Sequence, residues 1–92
     1  MTPESHAALL KALSTERRIQ ILQLLMTHDS PVAAGVLAAK MDLSEGAISF
    51  NAGKLAEVGL LTKQASGRHV FYSPNKVVIR ELIRFWRTKP KE

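Results

Sequence analysis

The sequence predicts one mainly α-helical domain with a small β-hairpin near its C-terminal end, in the order α-α-α-α-β-β-α. Three observations carry this expectation. Ninety-two residues are one domain's length, and no repeat, low-complexity tract or linker divides residues 1–92. Apolar residues recur at three- and four-residue intervals through most of the chain, giving way to strand-like runs at LLTKQ (60–64) and HVFYS (69–73). Hydrophobic residues at 46% and charged residues at 23% give a globular balance, so a packed core is expected rather than disorder.

Pro3 and Glu4 suit the start of a first helix, behind which Ala7, Ala8, Leu9, Leu10, Ala12 and Leu13 form a broad apolar surface. Ser14 or Thr15 can cap a second helix by accepting a bond from an orphan backbone N–H, and Glu16 complements its positive end. Ile19, Leu22, Leu25 and Met26 follow at helical spacing, and Met26 and Met41 are expected to fill the core. HDSP (28–31) ends this helix; Ser30 is the expected cap of a third helix and Pro31 its first residue. Val36, Leu37 and the neighbouring alanines give that helix a small apolar face. MDLS (41–44) forms a short turn, Ser44 caps a fourth helix over about 45–57, and Gly59 falls where a left-handed C-terminal cap would sit. Ala65, Ser66, Gly67 and Arg68 turn the two strand-like runs into a hairpin, with Tyr72 closing against the core. Pro74 and Asn75 stop the second strand, and a last helix runs from about Lys76 to Thr88.

That last helix has more apolar surface than one domain needs. Arg80, Arg84 and Arg87 form a basic stripe, while Val77, Val78, Ile79, Leu82, Ile83, Phe85 and Trp86 occupy most other positions. A terminal helix on a small domain needs only one buried stripe. The first helix is similarly over-hydrophobic. A homodimer formed through these two helices, about 4–13 and 76–88, accounts for both, and its expected interface is Leu9, Leu10, Leu13, Ile79, Leu82, Ile83, Phe85 and Trp86. The competing explanation is a last helix wrapped around a monomer.

Charge and residue inventory narrow the function. Residues 1–62 carry five Lys/Arg against six Asp/Glu, whereas residues 63–92 carry eight against two, a net of +6. Such a basic C-terminal third favours a polyanionic partner. Cysteine is absent, which excludes disulfides, thiolate metal sites and cysteine nucleophiles. No Gly-rich phosphate loop or paired-carboxylate motif appears, and His28 beside Asp29 is not an oriented catalytic pair, so no enzyme is expected. Glu4 and Lys11 interrupt the N-terminal apolar residues, and no run approaches the ~18 apolar residues of a membrane span, so a cytoplasmic protein without membrane contact is expected.

A helix, a short turn and a second helix over about 32–57, followed by a hairpin over about 60–73, make a winged helix-turn-helix, a shape that suits double-stranded DNA. The second helix of the pair enters the major groove and the hairpin wing lies on the flanking backbone. The expected DNA-contacting residues on the helix are Ser44, Glu45, Gly46, Ala47, Ser49, Phe50, Asn51 and Lys54. Asn51 suits adenine, Ser49 several base edges, Glu45 a cytosine amino group, Phe50 a thymine methyl and Lys54 a phosphate. Lys63, Arg68 and His69 are the wing's candidates, with Arg68 the best suited to a phosphate or the minor groove. Arg17 and Arg18 read equally as a solvated helix start or as phosphate contacts.

Three stretches, LKALSTERRIQILQLL (10–25), VLAAKMDLSEGAISFNAGKLAEVGLL (36–61) and GRHVFYS (67–73), resemble the ArsR/SmtB, or arsenic-repressor, family of bacterial winged-helix regulators. The resemblance implies a homodimeric transcriptional repressor, dimerised through its first and last helices and reading an inverted repeat. It also shows departures. Where metal-sensing members carry a Cys-x-Cys-like pair, this chain reads Pro31-Val32-Ala33-Ala34-Gly35, and its last helix has Glu81 but none of the Asp and His ligands used by others. His6, His28 and His69 are scattered, so neither a metal nor another cofactor is expected. Asn51-Ala52 replace the family's usual His-Leu, and Gly46 and Gly53 lie inside the recognition helix. Two other readings stand beside the repressor: a winged-helix protein-interaction module, and a regulator responding to an unknown small-molecule or protein effector.

Overall fold

A computed structural model describes residues 2–87. Its elements are α1 (Pro3–Ala12), α2 (Glu16–Met26), β1 (Val32–Ala33), α3 (Ala34–Met41), α4 (Glu45–Glu57), β2 (Leu61–Ser66), β3 (His69–Pro74) and α5 (Lys76–Arg87). Thr88, the expected end of the last helix, lies outside the described residues.

Side-chain caps set three helix starts. Thr2, Thr15 and Ser44 accept from the backbone N–H groups of Ser5, Arg18 and Ala47 at 3.2, 3.3 and 3.0 Å. Each satisfies a donor that the first helical turn leaves without an internal partner. Between α3 and α4, Asp42 takes the left-handed conformation at φ +53° and reverses the chain toward Ser44. After α4, Gly59 does the same at φ +85°, a position where a side chain would be strained.

The third helix starts later than the sequence predicts. Ser30 and Pro31 do not begin it; Val32 and Ala33 instead form β1, and Ala33 stands at the start of α3 with no side-chain cap. β1 pairs antiparallel with β3, Val32 opposite Tyr72 and Ala33 opposite Phe71. The sheet is therefore three-stranded in the order β1-β3-β2, rather than an isolated hairpin, and the element order is α-α-β-α-α-β-β-α. The hairpin turn is also tighter than expected. Ser66 pairs with His69, leaving Gly67 and Arg68 as a two-residue turn with positive φ only at Gly67, the type II′ pattern that matches strand twist.

The core lies where α1–α4 and the sheet meet. Ile21, Leu25, Leu37, Ile48, Leu55, Leu60 and Tyr72 are its largest fully buried side chains. Burying each such side chain is worth roughly 1.5–3 kcal/mol. Tyr72 closes the sheet against this core as expected. On α2 the inward face is Ile21 and Leu25, while Ile19 and Met26 are both 44% exposed, so Met26 is not a core filler. Met41 is partly buried and packs against the core.

Leu9 and Leu82, expected at a dimer interface, are instead part of their own protomer's core at 2% and 8% exposure, so little of either remains for a second copy. Leu13 and Ile79 are partly buried against that core. Leu10, Ile83, Phe85 and Trp86 remain exposed, as does Val77. Phe85 also stacks on His6 of α1, with ring centroids 3.9 Å apart, which joins the first and last helices.

Candidate nucleic-acid interface

The start of α4 and the tip of the wing face each other across a groove. Ser44 fixes the first turn of α4, and Glu45, Gly46, Ser49 and Phe50 are exposed along its outer side. The two-residue turn places Arg68 and His69 at the wing tip, both exposed. A groove of about 440 Å³ brings Glu45 and Ser49 together with Arg68 and His69, residues some twenty positions apart in sequence, over the first turn of α3. Gly35 shapes its floor: a Cβ there would lie 3.0 Å from Glu45 Oε1, so the absence of a side chain lets the Glu45 carboxylate lie over the start of α3.

The other expected contact residues are placed differently. Phe50 is 62% exposed, so it faces outward rather than into the core, and Lys54 Nζ sits 5.5 Å from its ring centroid. Lys54 also approaches Glu57 at 3.9 Å. Ala47 is half-buried, and Lys63 is exposed on β2 away from the groove. Asn51 is half-buried and its amide is occupied at both ends: Nδ2 donates to the Ala47 carbonyl at 2.9 Å, and Oδ1 accepts from Arg18 Nε at 3.3 Å. These two bonds hold the amide within the domain and leave one N–H and one lone pair for any further partner. Arg18 is thus bonded within the domain and is not simply a solvated helix start.

Among the described residues, no group of three or more His, Cys, Asp or Glu side chains is placed to hold a metal ion. His6 is buried under Phe85, and its Nδ1 has no hydrogen-bond partner. His28 Nδ1 lies 2.9 Å from the Leu24 carbonyl at the end of α2. His69 is in the wing. No helix among the described residues is long and apolar enough to cross a membrane. On α5, Arg80, Arg84 and Arg87 are exposed along one side.

A capped helix following a short turn, with a basic-tipped hairpin beside it, defines a winged helix-turn-helix protein. Comparison with known proteins agrees, although no family model matches the chain. The transcriptional activator HlyU of Vibrio cholerae is 33% identical over 75 residues, which cover 82% of this chain and 68% of that protein. The structure of reduced HlyU from the same organism superimposes with a TM-score of 0.69 at 31% identity, covering 92% of each chain. An ArsR-like transcriptional regulator from Rhodococcus gives a TM-score of 0.75 at 27% identity, covering 89% of this chain and 76% of that one. A homodimeric winged helix-turn-helix DNA-binding domain from Mycobacterium bovis gives 0.75 at 26%, covering 90% and 76%. The chain belongs to the ArsR/SmtB family of winged helix-turn-helix transcriptional regulators.

Proposed function

We propose that the protein is a homodimeric, sequence-specific DNA-binding regulator that represses by occupying an operator overlapping a promoter. The groove shared by α4 and the wing carries this reading, because it places polar recognition-helix residues and a wing arginine on one surface. Ser49, Phe50 and Glu45 are suited to base edges: a hydroxyl for several bases, a ring for a thymine methyl and a carboxylate for a cytosine amino group. Ser44, Gly46 and Ala47 bring the start of α4 close to the duplex. Arg68, His69, Lys63 and Lys54 supply backbone contacts, which position the domain without specifying sequence.

Dimerisation is supported by the exposed apolar residues Leu10, Ile83, Phe85 and Trp86 on α1 and α5, and the related Mycobacterium bovis domain is homodimeric. Two copies of α4 would then read an inverted repeat with half-sites about one helical turn apart. The sign of regulation follows from where the operator lies; HlyU of Vibrio cholerae is named an activator.

The test is binding to the DNA upstream of the protein's own gene, followed by anisotropy at two salt concentrations against scrambled competitor. Tight, competitor-resistant binding that weakens steeply with salt is expected. Equal affinity for scrambled DNA would overturn the sequence-specific reading, and weak binding that vanishes with salt would favour a protein-interaction module. A reporter driven by the same DNA then reads the sign: repression is expected, and activation would refute the repressor assignment.

A further inference from the structure

We propose that Arg18 is a positioning residue for DNA reading: it ties α4 to the end of α1 through Asn51 and thereby sets how the recognition helix is presented. The inference rests on the DNA-binding reading for its consequence but not for its geometry. Arg18 lies in the first turn of α2, where Thr15 Oγ1 accepts its backbone N–H at 3.3 Å. Its half-buried guanidinium donates in two directions, Nη1 to the Ala12 carbonyl and Nε to Asn51 Oδ1, each at 3.3 Å. Ala12 is the last residue of α1, so its carbonyl has lost its helical donor and carries the partial negative charge of a helix end. A cation there is favourable, and a planar fork reaches two separate acceptors where an ammonium on a flexible stem would hold one.

Asn51 continues the chain of bonds. Its Nδ2 donates to the Ala47 carbonyl one turn back on α4 at 2.9 Å. The two partners fix the amide's orientation, since the reverse placement would set an NH₂ against the guanidinium and an oxygen against a carbonyl. An uninterrupted series therefore runs from the end of α1, through Arg18 and Asn51, into the first half of α4. On its inward face α4 is held by the fully buried Ile48, Ala52 and Leu55, whereas on the flank of Gly53 an added Cβ would meet nothing within 4 Å. The polar tether therefore supplements one-sided apolar packing in fixing the rotation of the helix. Ser49 and Phe50 directly precede Asn51, so a slight roll of α4 would move both relative to a base edge. Because α1 bears part of the proposed dimer face, the same tether relates each recognition helix to the dimer axis.

The test uses Arg18→Gln, Asn51→Ala, the double variant and wild type, with sedimentation to follow dimer mass. Without DNA, Arg18→Gln is expected to accelerate amide hydrogen exchange in α4 about tenfold while core amides of α2 stay protected. With DNA, each single variant should lose about tenfold in operator affinity, evenly across operator positions, with scrambled-DNA affinity and salt slope unchanged. The double variant should lose no more than either single one, as expected for two members of one network. Unaltered exchange in α4, or additive losses, would overturn the proposal. So would a salt slope lowered by about one in Arg18→Gln, the mark of a phosphate contact, or loss confined to one or two base positions in Asn51→Ala, the mark of a base reader. If Arg18→Gln fails to fold, Arg18→Lys, which keeps the charge without the fork, is read by the same criteria. If wild type shows no sequence preference, the sequence-specific reading fails, and the exchange measurement alone decides the tether.

Discussion

Arg68 and Asn51 show how far a residue's type announces its task. Arg68 sits in a two-residue turn whose other member, Gly67, has φ +61°, so its backbone is fixed and its side chain is exposed at the wing tip. A cation there should neutralise a phosphate rather than read a base. Arg68→Ala is expected to weaken all DNA sequences alike and to lower the slope of log affinity against log salt by about one, measured by anisotropy across a salt series. Loss restricted to the operator would refute that role. Asn51 looks like an adenine reader in sequence, because an exposed amide on a recognition helix is suited to one. Its engagement with Arg18 depends on a residue 33 positions away, and no local pattern encodes that distance. The caps Thr15 and Ser44 were legible because a cap bonds only two or three residues along the chain. Ser44→Ala should cost about 1 kcal/mol in stability, read as a lower denaturation midpoint with an unchanged slope.

At the scale of elements, helices announced themselves and the short strand did not. α4 begins and ends where Ser44 and Gly59 predict, because local chemistry fixes both boundaries. β1 consists of Val32 and Ala33 only, too short to show alternation, and it is a strand because Tyr72 and Phe71 are there to pair with it. Pro31 and Ser30 imitate a helix start so closely that the tertiary partner alone separates the two outcomes. On α2, helical spacing correctly identified an amphipathic element but placed its inward face a little off, since Ile19 is exposed and Ile21 is buried. The glycines of α4 allow a direct test of helix stability. Gly53 has a negative φ, and a Cβ there has open space around it. Gly53→Ala should therefore stabilise the domain by about 0.5–1 kcal/mol through reduced backbone entropy in the unfolded chain. A rise in Tm of several degrees is expected for a domain of this size. A fall would mean that the added methyl meets something when α4 moves.

For the whole molecule, the question is which apolar surface holds the domain together and which is left over for the proposed second copy. The sequence could count the apolar residues of α1 and α5 but could not divide them, because both uses require the same side chains at the same helical spacing. The fold makes the division. Leu9 and Leu82 fill the protomer, whereas Ile83 and Trp86 stand 49% and 65% exposed, Trp86 edge-on to Phe85. Substitutions at two consecutive residues of α5, one turned inward and one outward, should thus fail differently. Leu82→Glu places a charge in the protomer core and should destabilise α5 itself, by an amount in the upper range for single substitutions, roughly 3 kcal/mol or more. Ile83→Glu leaves the protomer core intact but puts an unpaired carboxylate where a second copy would close over it. Sedimentation should show a folded monomer for Ile83→Glu, with near-native helical content by circular dichroism. Operator affinity should fall far more than affinity for a single half-site, since two linked sites bind with an avidity that one alone lacks. A dimer that survives Ile83→Glu and Trp86→Glu together would show that the exposed face of α5 is not the contact, and would move the seam between the two copies elsewhere on the domain.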